Sequence, residues 1–269
     1  MKKIFFLSLL LLGCGLDPNG KVDPPSKAIV SPTPPLEEIV SAPESLPPEA
    51  PLPEGARLIN GNDFSQFSDP IPPGKEHFFK GNWQIDQNTF EQSELGSGQA
   101  LSIRRWQGSL PSHYFMEVAC WPTRFIGRTP ERIEKSVGVM AIMPYYRDDT
   151  HYLIMSARSK DLEAWAAEGF LPGVVWPDTN KMFGMALEPP IGIGGAISIG
   201  ADVDLSTNTV KVFLNGQERG KFKLKPEFVK GDYSLALASN GSKVRFGRLR
   251  IYSLPGALPV EEATPSTAI

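Results

Sequence analysis

Histidine and cysteine are scarce in this 269-residue chain, at three and two residues, and the scarcity excludes much. His77, His113 and His151 lie far apart, with neither His-x-His nor His-Glu-x-x-His spacing, so a zinc site has no ligand set. No Gly-x-Ser-x-Gly elbow is present, which removes the usual frame for a serine nucleophile. Gly192-Ile193-Gly194-Gly195 has no following Lys-Ser or Lys-Thr and reads as a loop, not a phosphate cradle. Long apolar runs are also missing. Residues 4–12 are apolar for roughly nine positions, whereas a membrane-spanning helix needs about 20. No convincing amphipathic helix appears; residues 161–168 are the one candidate, and a strand plus turn fits them equally well.

What is present at the start is Lys2 and Lys3, the short apolar core, and then Leu11-Leu12-Gly13-Cys14. This order resembles the lipobox of bacterial lipoproteins, departing at Leu12, where that family more often has Ala, Ser or Thr. The resemblance implies that residues 1–13 are a signal peptide and that Cys14 is the lipidation site, carrying diacylglycerol and an acyl group such as palmitate. It also implies a cell-envelope protein held to the membrane by its lipid, with Gly15 rather than Asp after the cysteine favouring the outer membrane. Several acyl chains, at about 0.8 kcal/mol per buried methylene, would make a stable anchor. Because Cys14 is spent on the lipid, Cys120 has no disulfide partner. It sits in a strand-like run without cationic neighbours and reads as a buried structural thiol.

Loss of Lys2 and Lys3 reduces 27 basic residues to 25 against 30 acidic ones, a net charge of −5. That balance argues against nucleic acid as a partner. Proline is abundant, at 26 residues, and clusters at Pro24-Pro25, Pro34-Pro35 and Pro47-Pro48. Residues 14–53 therefore read as a lipidated cysteine followed by a disordered, extended linker. At about 3.1 Å per residue it would reach up to roughly 100 Å. Residues 255–269 read as a disordered tail.

Between them, residues 54–254 read as one all-β domain. Tyr114, Met116, Val118 and Cys120 alternate, as do Ile197, Ile199, Ala201 and Val203; Val210, Val212 and Leu214; Leu101 and Ile103; and Tyr233, Leu235 and Leu237. Side chains of a strand alternate between faces, so each set marks a core face. Residues 137–143 and 152–157 are apolar on both faces and read as central strands. Asn215-Gly216 predicts a type I′ hairpin turn, and the change of parity after Phe246 predicts a β-bulge at Gly247.

The strands in order resemble the concanavalin A-like (laminin-G-like) jelly roll. The likeness rests on Gly81-Asn82-Trp83-Gln84-Ile85-Asp86, Phe115-Met116-Glu117-Val118, Val137-Gly138-Val139-Met140 leading to Asp149-Thr150-His151-Tyr152, the strand from Val210 to Gly216, and Val244 through Leu249. It departs at Gly247, where the family usually has Asp, and in an insertion over residues 169–195. The bacterial branch most similar is the 3-keto-disaccharide hydrolase-like one. The resemblance implies a sandwich of two antiparallel sheets and a carbohydrate-related role.

Glucanases of this fold carry Glu-x-Asp-x-x-Glu along one strand, bringing acid and nucleophile to one cleft. No such run occurs here. Asp202-Val203-Asp204 puts two carboxylates on one face just before a turn and reads as a solvated strand face. No catalytic residue, metal or cofactor is assigned. Ligand-binding candidates are Tyr145, Tyr146, Arg147, Asp148 and His151, where adjacent aromatics could stack on a sugar while Arg and Asp fork to its hydroxyls. A second place is the Gly/Pro-rich insertion, read as a long loop, with Trp176 and Phe183 and preceded by Trp165. Arg124, Arg128, Arg132 and Lys135 form a basic loop read as solvated surface. Three roles remain: an envelope module that binds a carbohydrate without catalysis, a glycoside-processing hydrolase or lyase, and an assembly lipoprotein with a protein partner.

Overall fold

The computed structural model describes residues 43, 45–62, 77–86, 89–93, 100–104, 111–125, 138–148, 150–159, 166–176, 179–224 and 233–256. Cys14, Trp165, the signal segment, most of the linker, Arg128, Arg132, Lys135 and residues 257–269 lie outside that set. The described residues form two antiparallel sheets and no helix.

The first sheet contains β1 (Arg57–Asn62), β3 (Trp83–Asp86), β4 (Thr89–Gln92), β6 (His113–Phe125), β12 (Ile197–Asp204), β13 (Thr209–Leu214), β14 (Gln217–Lys223) and β16 (Ser242–Ser253). Its order is β14-β13-β12-β6-β16-β4-β3, with β1 also on β16. The second contains β2 (His77–Lys80), β5 (Ala100–Arg104), β7 (Val139–Asp148), β8 (His151–Arg158), β9 (Ala166–Trp176), β10 (Thr179–Met182), β11 (Met185–Gly192) and β15 (Ser234–Asn240). Its order is β10-β9-β8-β7-β15-β5-β2, with β11 also on β9.

The core lies between the sheets and is built from the alternating sets. Tyr114, Met116, Val118 and Cys120 of β6 meet Ile197, Ile199, Ala201 and Val203 of β12 and the inward residues of β7, β8 and β15 in one cluster. Cys120 is a free, buried thiol, and burial pushes its ionisation far up. As two-faced runs should, β7 and β8 occupy the interior of the second sheet. Met140, Ile142, Leu153 and Met155 face the core, while Ala141, Met143 and Ile154 join a second apolar cluster on the sheet's other face.

Both local signals are present. Asn215 and Gly216 take φ of 50° and 77°, and Asn215 Oδ1 accepts the Ser198 amide at 2.9 Å, so the turn also braces β12. The β16–β6 register shifts between Gly247 and Arg250, and Arg248 takes φ of 47°. Trp121 packs over Gly247 at that bulge, with ring carbons in ordinary van der Waals contact, 3.4 Å, of where a Cβ would stand.

One expectation needs correcting. Residues 169–195 are not a long loop. Most of them form the end of β9 and the strands β10 and β11, at the edge of the second sheet. An edge strand tolerates Pro189 and Pro190 because it does not need every amide for pairing, and the β11–β9 register breaks there, between Ala186 and Ile191. The end of the stretch expected to be disordered linker also makes defined contacts. Residues 47–52 lie on the outer face of the first sheet, where Ala50 is buried beside Phe115, Phe213 and Leu254.

Candidate functional site

Strand geometry separates the two tyrosines that the sequence placed together. Consecutive side chains of a strand point to opposite faces. Pro144 sits at a register shift between Ile142 and Tyr145, and its carbonyl accepts the Tyr114 hydroxyl at 2.6 Å. After that slip Tyr145 turns inward and stacks on Tyr233 at 4.7 Å, buried between the sheets. Tyr145 is therefore a core residue, not a sugar platform. Burial raises its hydroxyl pKa, as it does those of Tyr114 and Tyr233.

Tyr146 points to the opposite face and pairs across the hairpin with Tyr152, ring centroids 6.3 Å apart and planes 27° from parallel. Tyr146 is 8% exposed and Tyr152 partly exposed, so Tyr152 offers the accessible ring of the pair. Sequence reasoning missed Tyr152 because it sat in a run apolar on both faces. The signal was the hairpin itself, which sets residues 146 and 152 opposite one another.

The β7–β8 turn adjoins this pair. Asp148 accepts the Thr150 amide and hydroxyl at 2.8 and 2.7 Å and faces His151 Nδ1 at 2.7 Å. Burial acts to raise the Asp148 pKa, but the Thr150 and His151 hydrogen bonds outweigh it and hold the carboxyl below its ordinary value. Asp148 is thus a turn-forming acceptor. Arg147, beside it, is exposed. The structure brings Tyr146, Arg147, Asp148 and His151 together at one end of the second sheet. It ends β9 at Trp176, paired with Thr179, and places Val175 of the same strand opposite Tyr152. Phe183 is 42% exposed and stacks on Phe222 of β14 at 5.4 Å.

Four other carboxylates have partners. Asp202 faces His113 Nε2 at 2.8 Å and Lys211 Nζ at 3.0 Å. Asp204 accepts from Ser206 and Thr207 in the β12–β13 turn. Glu91 pairs with Arg245 at 2.6 Å. Glu117 accepts from Ser198 and from the Ala50 amide. Among the described residues no group of three or more metal-binding side chains gathers.

No family model matches this chain, and no curated protein matches it. Solved structures do. A family GH16 endo-β-1,3(4)-glucanase is similar at TM-score 0.52 and 11% identity, over 78% of this chain and 100% of that one. The catalytic domain of a laminarinase from Thermotoga petrophila is similar at 0.52 and 12%, over 74% and 98%. The Emp47p carbohydrate recognition domain is similar at 0.50 and 13%, over 73% and 97%. Identities this low establish the fold, a jelly-roll sandwich of the concanavalin A-like kind, and no more.

Proposed function

We propose that this chain is a lipid-anchored cell-envelope protein whose sandwich binds a carbohydrate without catalysis. The reading rests on the Tyr146–Tyr152 pair, with an accessible Tyr152 ring beside an exposed Arg147 on the β7–β8 turn. A flat aromatic face suits the apolar face of a pyranose, and a guanidinium suits its hydroxyls. The glucanases and the carbohydrate recognition domain that share the fold support the ligand class. Hydrolysis by paired carboxylates needs two carboxyls about 5–9.5 Å apart and free to face a substrate. Here Asp148, Asp202 and Asp204 each serve a turn or an ion pair, which favours binding over cleavage.

The anchor follows from Leu11-Leu12-Gly13-Cys14, and Gly15 directs it to the outer membrane. A glycan array probed with the chain and with Tyr152→Ala and Arg147→Ala tests the ligand. The expected result is one retained glycan class, weakened about tenfold or more by either change. No retained glycan, or equal retention by all three proteins, refutes the reading. Mass spectrometry of the mature amino terminus, with Cys14→Ala as control, tests the anchor separately.

A further inference from the structure

The proline-rich stretch reaches onto the sandwich and is gripped there. Glu49 lies between Arg250 Nη1, on its Oε2, and Arg248 Nη1, 3.4 Å from its Oε1. Arg248 Nη2 also donates to the Pro47 carbonyl at 2.7 Å. The Ala50 amide donates to Glu117 Oε1 at 3.0 Å, and Ser198 Oγ donates to the same oxygen at 2.7 Å. The Glu49 carbonyl comes so close to Gly216 that a Cβ there would stand 2.6 Å from it. Ala50 fills the shallow apolar seat made by Phe115, Phe213 and Leu254. Phe115 finds its own room over Gly200, where a Cβ would meet its ring at 2.8 Å.

We propose that the outer face of the first sheet, between β12, β6 and β16, is a docking groove for an extended, proline-flanked acidic peptide, and that the chain's own residues 47–53 occupy it as a releasable clasp. Every reading element belongs to the sandwich. Arg248 and Arg250 read a carboxylate, Glu117 reads one main-chain amide, and Gly216 admits a backbone. Arg248 is held at the β16 bulge in a left-handed conformation that non-glycine residues seldom adopt, and that conformation marks a built feature.

The occupant is suited to such a groove. Pro47, Pro48, Pro51 and Pro53 have no amide hydrogen, so the segment cannot extend the sheet as a strand, and docking rests on a few side-chain contacts. Proline also fixes an extended conformation in advance, which lowers the ordering cost of docking. Release is favoured because the grip is local and imperfect: among the described residues Arg248 Nε is buried without a hydrogen-bond partner. Just upstream, Pro43-Glu44-Ser45 repeats the Pro-Glu-small order of Pro48-Glu49-Ala50. This inference does not depend on the carbohydrate reading.

The test vacates the groove in the full chain with Glu49→Arg and Ala50→Pro together, then titrates a fluorescent peptide with the sequence of residues 45–53. Saturable binding to the double variant is expected. Affinity should be at least tenfold weaker for the native chain, whose groove is filled, and for a peptide with Gln in place of Glu49. Equal binding to both proteins, or none to a double variant that melts cooperatively, overturns the proposal. Should the variant not fold, hydrogen exchange at Ala50 in the native chain decides. Protection lower than that of β6 amides but at least tenfold above an unprotected amide supports a releasable clasp. Exchange only on global unfolding overturns release, and no protection overturns docking.

Discussion

Replacing Gly216 by Ala should cost far more than a turn residue ordinarily does, because two separable penalties meet there. The first is conformational. Gly216 has φ of 77°, and an L-residue forced into the left-handed region loses about 1–2 kcal/mol. The second is steric. The new methyl would stand 2.6 Å from the Glu49 carbonyl oxygen, a main-chain atom that cannot rotate aside. The segment must lift, and the Ala50 amide then leaves Glu117. A hydrogen bond to a carboxylate is worth about 1.5–3 kcal/mol. Together the change should destabilise the domain by about 2.5–5 kcal/mol.

Urea denaturation of four proteins separates the terms: native, Gly216→Ala, the Glu49→Arg/Ala50→Pro double variant, and the combination. Where the segment is already released only the turn penalty should remain, giving a coupling of about 2 kcal/mol. If Gly216→Ala costs the same in both backgrounds, the residues 47–53 contact contributes nothing and the reasoning fails.

Other expectations are simpler. Tyr114→Phe should lose about 1–3 kcal/mol in the same denaturation assay, because the Pro144 carbonyl it serves at 2.6 Å is left buried without that donor. Cys120 should not react with a thiol reagent in the native chain and should react fully in denaturant, since burial pushes its ionisation far up. Burial acts to raise the Asp204 pKa, but the Ser206 and Thr207 hydrogen bonds outweigh it and leave it below the ordinary 3.8. Its contribution is therefore present above that value and lost as pH falls through the lower folded one. The stability difference between native chain and Asp204→Asn should be constant near neutrality and shrink in strong acid. A difference unchanged at pH 2 refutes the assignment.

The core strands were legible because burial on one face writes a period of two into the sequence, and β6, β12 and β13 carry it without interruption. The Asn215-Gly216 turn was legible because it needs a left-handed backbone that few residues allow, and the bulge at Gly247 because it flips the parity of the inward residues after Phe246. Residues 169–195 misled because glycine and proline signal loops, yet an edge strand needs neither continuous pairing nor every amide. Tyr145 and Tyr146 misled because nearness in sequence is not nearness on a face, and the slip at Pro144 then chose which ring went inside. The docked residues 47–53 left no periodic trace. Their contacts run through one amide, one carbonyl and one carboxylate to groups some 67 to 201 positions away.

The two outer faces differ in a way that bears on where a ligand can sit. On the first sheet the charges are already matched: Glu91 with Arg245, Asp202 with His113 and Lys211, Glu49 with Arg248 and Arg250. Displacing any partner leaves a partly desolvated charge behind, and stranding a buried one costs several kcal/mol, roughly 3–5. A neutral sugar offers too little in exchange, so that face suits only an occupant with a carboxylate of its own. On the second sheet, Ala141, Met143, Ile154, Ala236 and Ala238 are covered, and the face becomes accessible toward Tyr152 and Arg147. A pyranose stacked on Tyr152 there displaces no partner of these ion pairs. The same desolvation argument that closes the first sheet to a neutral glycan leaves the end of the second available to the one proposed above.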